Sequence, residues 1–400
     1  MPTEAGAQPR ITAASNGESN TMTPDLDTLM MIPGPTEIPS RVLRALSRPM
    51  IGHRSSEYAD LHKSCEARLK RIFQTENPVL ILTSSGTGGM EAAVANIVSP
   101  GDKIVVANGG KFGERFGDLG RIYGAEVDEI VYEWGQPVNP DDVAARLDEK
   151  VKAVYLTLNE TSAGVTSDIE AVAKVVRQHG ALVIVDAISG MAAIPCASDE
   201  WGLDVVVAGS QKAFMLPPGL AFVSVSDRAW EACEQCQSPR YYLDLGAMRK
   251  SAEKGQTAFT PNVSMIFALD EALNMLFEEG LDNVIARHAR LAGAVRAAAR
   301  ALGFELLPQE GAESNTVTAL KKGRLDDPDA MRKHLAAKYG VLLSGGQSDY
   351  KNQIFRIGHM GAVTEREVLT AISCLEAALS DVGYEFERGA GVSAALEALA

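Results

Sequence analysis

No run of apolar residues in this 400-residue chain reaches the roughly 18 needed to cross a bilayer, so a membrane-spanning helix is not expected. Cysteine is scarce as well. The five thiols, at positions 65, 196, 233, 236 and 374, have no regular spacing, which argues against a disulfide scaffold and for reduced thiols. Cys233 and Cys236 form a C-x-x-C pair, but they lie in a helix-like stretch from Arg228 to Gln237 and lack the second pair a zinc site would need. Positive charge is outnumbered: 38 Lys and Arg against 52 Asp and Glu leave a net charge of −14. That balance disfavours nucleic acid as the main partner and gives no pull toward anionic membranes. It does not exclude an anionic ligand, which local donors hold whatever the net charge. Two phosphate-binding motifs are also missing. No Gly-Lys-Ser/Thr follows Gly89, so there is no Walker A loop, and Gly86-Thr-Gly-Gly89 is not the G-x-G-x-x-G of a nicotinamide-dependent dehydrogenase.

What is present fits an ordinary globular protein, 46% apolar and long enough for two domains. The first 25 residues are rich in Ser, Thr, Ala, Asn and Gly without a signal-peptide core, and read as a disordered arm. A cytoplasmic location follows as the default expectation. From about Pro78 to Val225 short apolar strands alternate with helical stretches. The strands are expected at 79–83, 103–107, 127–131, 153–158, 182–186, 205–208 and 221–225, with helices at 89–97, 114–123, 141–147 and 169–179. Continuous apolar strands separated by helices predict an α/β fold with a mostly parallel sheet covered on both faces. After about Gly255 the pattern changes. Helices at 263–279 and 281–302 lead into strands at 304–307, 316–319, 341–343 and 354–357, with further helices near 328–339 and 365–379, which predicts a smaller α+β domain. The expected organisation is an arm (1–25), a large domain (26–280), a small C-terminal domain (281–388) and an Ala-rich tail (389–400) that docks as a helix on the surface or on a partner subunit. No internal repeat is seen.

Three strand ends carry the chemistry. Asp204-Val-Val-Val-Ala208 leads into Gly209-Ser-Gln-Lys212 and a Pro-Pro-Gly turn, so Lys212 stands where α/β proteins gather reactive groups. Leu182-Val-Ile-Val-Asp186 ends a buried strand on an acid. Val79-Leu-Ile-Leu-Thr-Ser-Ser-Gly-Thr-Gly-Gly89 runs from strand to helix through glycines, and the free N–H groups of Ser85, Gly86 and Thr87 would grip a phosphate. Taken singly, the lysine reads as a solvated residue, the acid as a turn former and the glycine turn as a simple cap. Together they are the reactive amine, the partner for a pyridinium nitrogen and the anion cradle that pyridoxal 5′-phosphate requires. In that reading Lys212 forms the Schiff base and carries a proton between substrate and cofactor, so burial and the nearby cationic ring should lower its pKa. Asp186 keeps the ring cationic. Arg356, in Gln353-Ile-Phe-Arg-Ile-Gly358, projects from a small-domain strand with the fork that holds a substrate carboxylate; the bland alternative is a surface arginine on an edge strand.

These segments resemble the class V branch of the fold-type I pyridoxal-phosphate transferases, in particular the alanine–glyoxylate and serine–glyoxylate aminotransferases. The resemblance runs from about Met31 to Gly361 and includes Ile32-Pro-Gly-Pro-Thr36, Gly52-His-Arg-Ser55, Asn108-Gly-Gly-Lys-Phe-Gly113, Glu160-Thr-Ser-Ala-Gly164, Gly209-Ser-Gln-Lys212, Phe259-Thr-Pro261 and Arg356-Ile-Gly358. It implies that Phe112 stacks on the cofactor ring, Thr161 lies beside the ring oxygen and Gln211 approaches the phosphate. It also implies that Thr260 reaches the phosphate of a neighbouring subunit's cofactor in a homodimer with shared sites. Gly34 would line the substrate pocket. Some relatives carry a phosphate-binding Tyr where this chain has Thr257.

The implied reaction is amino transfer from L-alanine or L-serine to glyoxylate or pyruvate, with no metal. Other class V chemistries are weighed by residue. A desulfurase wants a His before the lysine and a cysteine on a late loop, whereas Gln211 precedes Lys212 and no cysteine lies between Cys236 and Cys374. A phosphoserine aminotransferase wants an extra basic cluster, and none is evident; His53-Arg54 offers either a second anionic contact or a capping or dimer-interface role. A lyase, a pyridoxamine–pyruvate type transferase and a catalytically idle subunit of the same fold stay open as alternatives.

Overall fold

The structure is a computed structural model that describes residues 28–400, so the expected N-terminal arm lies outside the described residues. Seven strands form the main sheet: β1 (Val79–Leu82), β2 (Lys103–Asn108), β3 (Glu126–Val131), β4 (Val151–Thr157), β5 (Leu182–Asp186), β6 (Val205–Gly209) and β7 (Ala221–Val225). Their order is β1-β7-β6-β5-β4-β2-β3, and only β7 runs antiparallel to its neighbours. All six other strands therefore end at the same edge. That edge receives Ser85, Phe112, Asp186 and Lys212 from four different strand ends, as expected of an α/β sheet.

Why both faces are covered can be read along β5. Val183 and Val185 belong to one buried cluster, while Leu182 and Ile184 belong to another on the opposite face. Each such side chain, fully withdrawn from water, stabilises the fold by about 1.5–3 kcal/mol. The helices that cover the faces include α1 (Ser56–Phe73), α2 (Gly86–Ala95), α3 (Lys111–Ile122), α4 (Ile169–Gln178) and α5 (Val263–Glu279). Helix α1 was not anticipated, although Tyr58, His62, Cys65, Leu69 and Ile72 repeat at helical spacing behind the Ser55 cap.

The long helix α6 (Leu281–Ala301) leads to a three-stranded sheet of order β8-β10-β9, made of β8 (Val317–Lys321), β9 (Ser344–Gly345) and β10 (Ile354–Gly358). A third buried cluster lies around it, joined by α7 (Glu365–Asp381). The tail forms α8 (Ala390–Leu399), which packs on α6 and α7. No helix among the described residues is long and apolar enough to cross a membrane.

Three expectations need correction. Residues 304–307 do not form a strand: only Leu306 makes an isolated bridge, to Leu320, between the positive-φ turn at Gly303 and Pro308. Val341–Leu342 does form a strand, but it pairs in parallel with Leu29–Met30 and not within the small sheet. Helix α2 also starts at Gly86, three residues earlier than expected, so the glycines lie inside its first turn.

Candidate active site

Asp186 and Lys212 lie at the ends of neighbouring strands, 3% and 8% exposed. Asp186 accepts a hydrogen bond from the Ile188 amide through Oδ1 at 2.8 Å. Burial pushes its pKa up to about 7, against the lowering effect of that amide, and Glu160 adds to the rise. Lys212 moves the other way. Burial lowers it to about 8, Asp186 opposes the drop, and the Arg356 and Arg115 guanidiniums reinforce it. At about 8 the amine is still mostly protonated at neutral pH, but it gives up its proton far more readily than an exposed lysine, which suits a proton carrier.

The segment 33–36 closes over the amine. Lys212 Nζ donates to the Pro33 carbonyl at 2.5 Å, and Thr36 bonds back to the carbonyls of Gln211 and Lys212. Gly34 has φ +131°, and a Cβ there would stand 2.7 Å from Nζ, so glycine is required by both conformation and space.

Ser85 is the N-cap of α2, yet its hydroxyl makes no capping bond, and Ser85 and Thr87 are both exposed. A cap serine that leaves its own helix uncapped keeps a hydroxyl and first-turn N–H groups available to an anion. A Cβ on Gly86 would meet Ile188 at 2.7 Å, so the cradle packs directly on the residues after Asp186. Gln211 lies close by, its Oε1 3.1 Å from where a Gly209 Cβ would be, and that oxygen is buried without a partner. Sequence reasoning missed Arg115. Its Nη1 donates to Thr87 Oγ1 at 3.0 Å, and its guanidinium lies 4.8 Å from the Phe112 ring centroid. Its one sequence signal is its position one helical turn after Phe112.

Arg356 lies on β10, the central strand of the small sheet, and is 6% exposed, so the edge-strand alternative is ruled out. Its Nε and Nη2 donate to the Gly345 carbonyl at 3.0 and 2.8 Å, and Nη1 donates to the Thr161 carbonyl at 2.9 Å. Three of the five N–H groups are thereby used, leaving one on each terminal nitrogen, the pair a carboxylate takes. Burial lowers its pKa to about 10, with Glu160 opposing, so it remains a cation.

Thr161 is buried, and its hydroxyl is spent on Ser189 Oγ at 2.7 Å. Thr260 is not brought into the crevice. It is exposed and lines a separate depression with Thr83, Tyr242 and Thr257. Arg54 donates to Gln256 and to the Thr257 carbonyl, which fixes the same segment. The Cys233–Cys236 pair is unbridged, with Cys236 Sγ near the Ala95 and Val98 carbonyls.

The donor set fits pyridoxal phosphate: an anion cradle with an unspent cap hydroxyl, a buried acid with one oxygen uncommitted, and a buried amine between them. When bound, that cofactor supplies an electron sink for the substrate Cα. The chain belongs to the class-V aminotransferases, whose family model matches residues 32–366, and is a pyridoxal-phosphate-dependent enzyme. Among its relatives, the soluble hydrogenase small subunit of Synechococcus sp. (strain PCC 6716) is 47% identical over 93% of this chain and 98% of its own. The serine–glyoxylate aminotransferase of Methylorubrum extorquens is 37% identical over 92% and 94%. Among solved structures, the pyridoxamine–pyruvate aminotransferase of Mesorhizobium loti superposes with a TM-score of 0.90 at 29% identity, covering 94% of this chain and 98% of that one.

Proposed function

We propose that this aminotransferase moves the amino group of L-alanine or L-serine to glyoxylate or pyruvate, with Lys212 as the amine that carries the cofactor. The observation that carries the reading is the burial of Lys212 and Asp186 side by side, with their proton affinities drawn toward each other. Lys212 Nζ takes the proton from the substrate Cα and returns it on the cofactor side. Asp186 holds the ring nitrogen's proton. Arg356 orients the substrate through its carboxylate, and Pro33–Thr36 keeps water from the amine. Ser85, Gly86, Thr87 and Gln211 hold the phosphate, and Phe112 covers the ring. The small and hydroxymethyl donors accord with the serine–glyoxylate relative. Among the described residues no group of three His, Cys, Asp or Glu side chains is arranged to hold a metal ion.

The active unit is a homodimer. Tyr241, at 81% exposure, and Tyr242 pack against Phe259 on the surface that presents Thr260, and an aromatic patch of this kind favours a partner. Thr260 of one subunit then completes the other's phosphate cradle. Separate buried clusters around the two sheets support dividing the chain near residue 280.

The test is an absorbance titration of the purified protein with L-alanine and with L-serine, no keto acid added. Conversion of the yellow cofactor band to the pyridoxamine band is expected with one of them. A yellow protein that neither amino acid bleaches would overturn the donor assignment and favour a lyase or the pyridoxamine–pyruvate type.

A further inference from the structure

Helix α3, which carries Phe112 and Arg115, begins without a cap of its own. Its N-cap is Gly110, so no side chain is available there. The three N–H groups of Lys111, Phe112 and Gly113 are satisfied instead from a segment some fifty residues later. Glu160 Oε2 accepts from Phe112 N at 3.0 Å and Gly113 N at 3.2 Å, and Ser162 Oγ accepts from Lys111 N at 3.1 Å. The other Glu160 oxygen, Oε1, accepts from the amide and the hydroxyl of Ser162 at 3.1 and 2.5 Å. Glu160 is 4% exposed, and its four donors come from Ser162 and from the first turn of α3. A buried carboxylate at a helix N-terminus is stabilised by those N–H groups and by the helix dipole. Gly110 makes the approach possible, because a Cβ there would stand 2.7 Å from the Glu160 side chain.

The next residue faces the other way. The Thr161 carbonyl accepts from Arg356 Nη1 at 2.9 Å, and the Thr161 hydroxyl donates to Ser189, three residues after Asp186. Asn159 completes the block through Ser189 Oγ and Thr316 Oγ1 at 2.8 and 3.0 Å. A single buried segment thus touches the ring-covering residue, the acid's loop and the carboxylate-binding arginine.

Resting on the function proposed above, we propose that Glu160 is a positioning residue that sets the Phe112 ring and the Arg356 guanidinium at a fixed separation. Cofactor face and substrate carboxylate are thereby held in register by one side chain. Glu160→Gln keeps the size but turns an NH2 toward donors, so at least one N–H loses its acceptor whichever way the amide points. Its pyridoxal-phosphate affinity and its KM for the amino donor should both worsen, each by roughly tenfold. Phe112→Leu should change only the first, and Arg356→Lys only the second. Visible circular dichroism of the bound cofactor should change in Glu160→Gln, which a general loss of stability would not cause.

Hydrogen exchange of the cofactor-free protein makes the test independent of activity. In Glu160→Gln, peptides covering 109–116 and 343–358 should both exchange faster than in the wild type, while those covering 263–279 stay unchanged. Acceleration confined to 109–116, or an unchanged donor KM, would reduce Glu160 to a helix cap and overturn the proposal. Should Glu160→Gln not fold, Ser162→Ala is the milder variant and should shift both affinities by roughly twofold to threefold. A wild-type protein that takes up no cofactor would sink the proposed function instead, and the exchange pattern would still decide the coupling.

Discussion

At the ring end of the site, Asp186 and Lys212 are buried, roofed by Pro33–Thr36 and set at the ends of adjacent strands of one chain. At the phosphate end, Ser85 and Thr87 are exposed, and the cap hydroxyl of Ser85 is unspent. The difference has a physical basis. Raising an acid's proton affinity and lowering an amine's by desolvation needs a closed core, whereas an anion needs donors and can be held at a surface. The ring end is therefore enclosed by one chain, while the strand-end cradle around Ser85 and Thr87 stays open.

The largest expected effect is at the buried end. Lys212→Ala should lower turnover by roughly 10³-fold or more while the protein still folds, checked by single- and multiple-turnover assays beside far-UV circular dichroism. Multiple turnover near the wild-type rate would move the amine elsewhere. Arg356→Lys should raise KM for the amino donor roughly tenfold or more, since a point charge cannot replace the fork. Steady-state kinetics over a range of donor concentrations checks this.

At the open end the effects should be smaller and of another kind. Ser85→Ala and Thr87→Ala should each weaken cofactor binding by roughly fivefold, with kcat unchanged once cofactor saturates. A fall in kcat at saturation would mean that the cradle also sets the chemistry, and would blur the contrast between the two ends.

The smallest effect is on stability against pH. In the cofactor-free protein Asp186 binds its proton up to about 7, while in the unfolded chain it does so only up to about 3.8. The folded state therefore holds more protons between these values, and its stability falls as pH rises through that window. Asp186→Asn removes this fall, so its melting temperature relative to wild type should climb from about pH 4 to pH 7 and then level off. Lys212 acts in the window from about 8 to 10.5, where the unfolded chain holds more protons and stability rises with pH. Thermal melts across both ranges read the two slopes.

Much of this was legible in the sequence because it is local. Strands β5 and β7 and helix α5 begin and end where apolar periodicity and flanking turns place them. The Lys212, Asp186 and Ser85–Thr87 segments follow their strands as motif order implied. What was illegible depends on partners far apart in the chain. Residues 304–307 look like a strand but find only one bridging partner, and Val341–Leu342 is claimed by Leu29–Met30. Arg115 gains meaning only from Thr87, and Glu160 only from Phe112 and Gly113. Pairings across 28 and about fifty residues have no periodic signature, and a buried glutamate on a two-residue strand looks from sequence like any surface acid.

On the proposed function, the buried amine of Lys212 is the one that carries the cofactor. Borohydride reduction of the yellow protein, followed by peptide mapping, tests it most directly. A single phosphopyridoxyl group is expected on Lys212, in the peptide containing Gly209–Phe214. The same group found on any other lysine, with Lys212 unmodified, would contradict it.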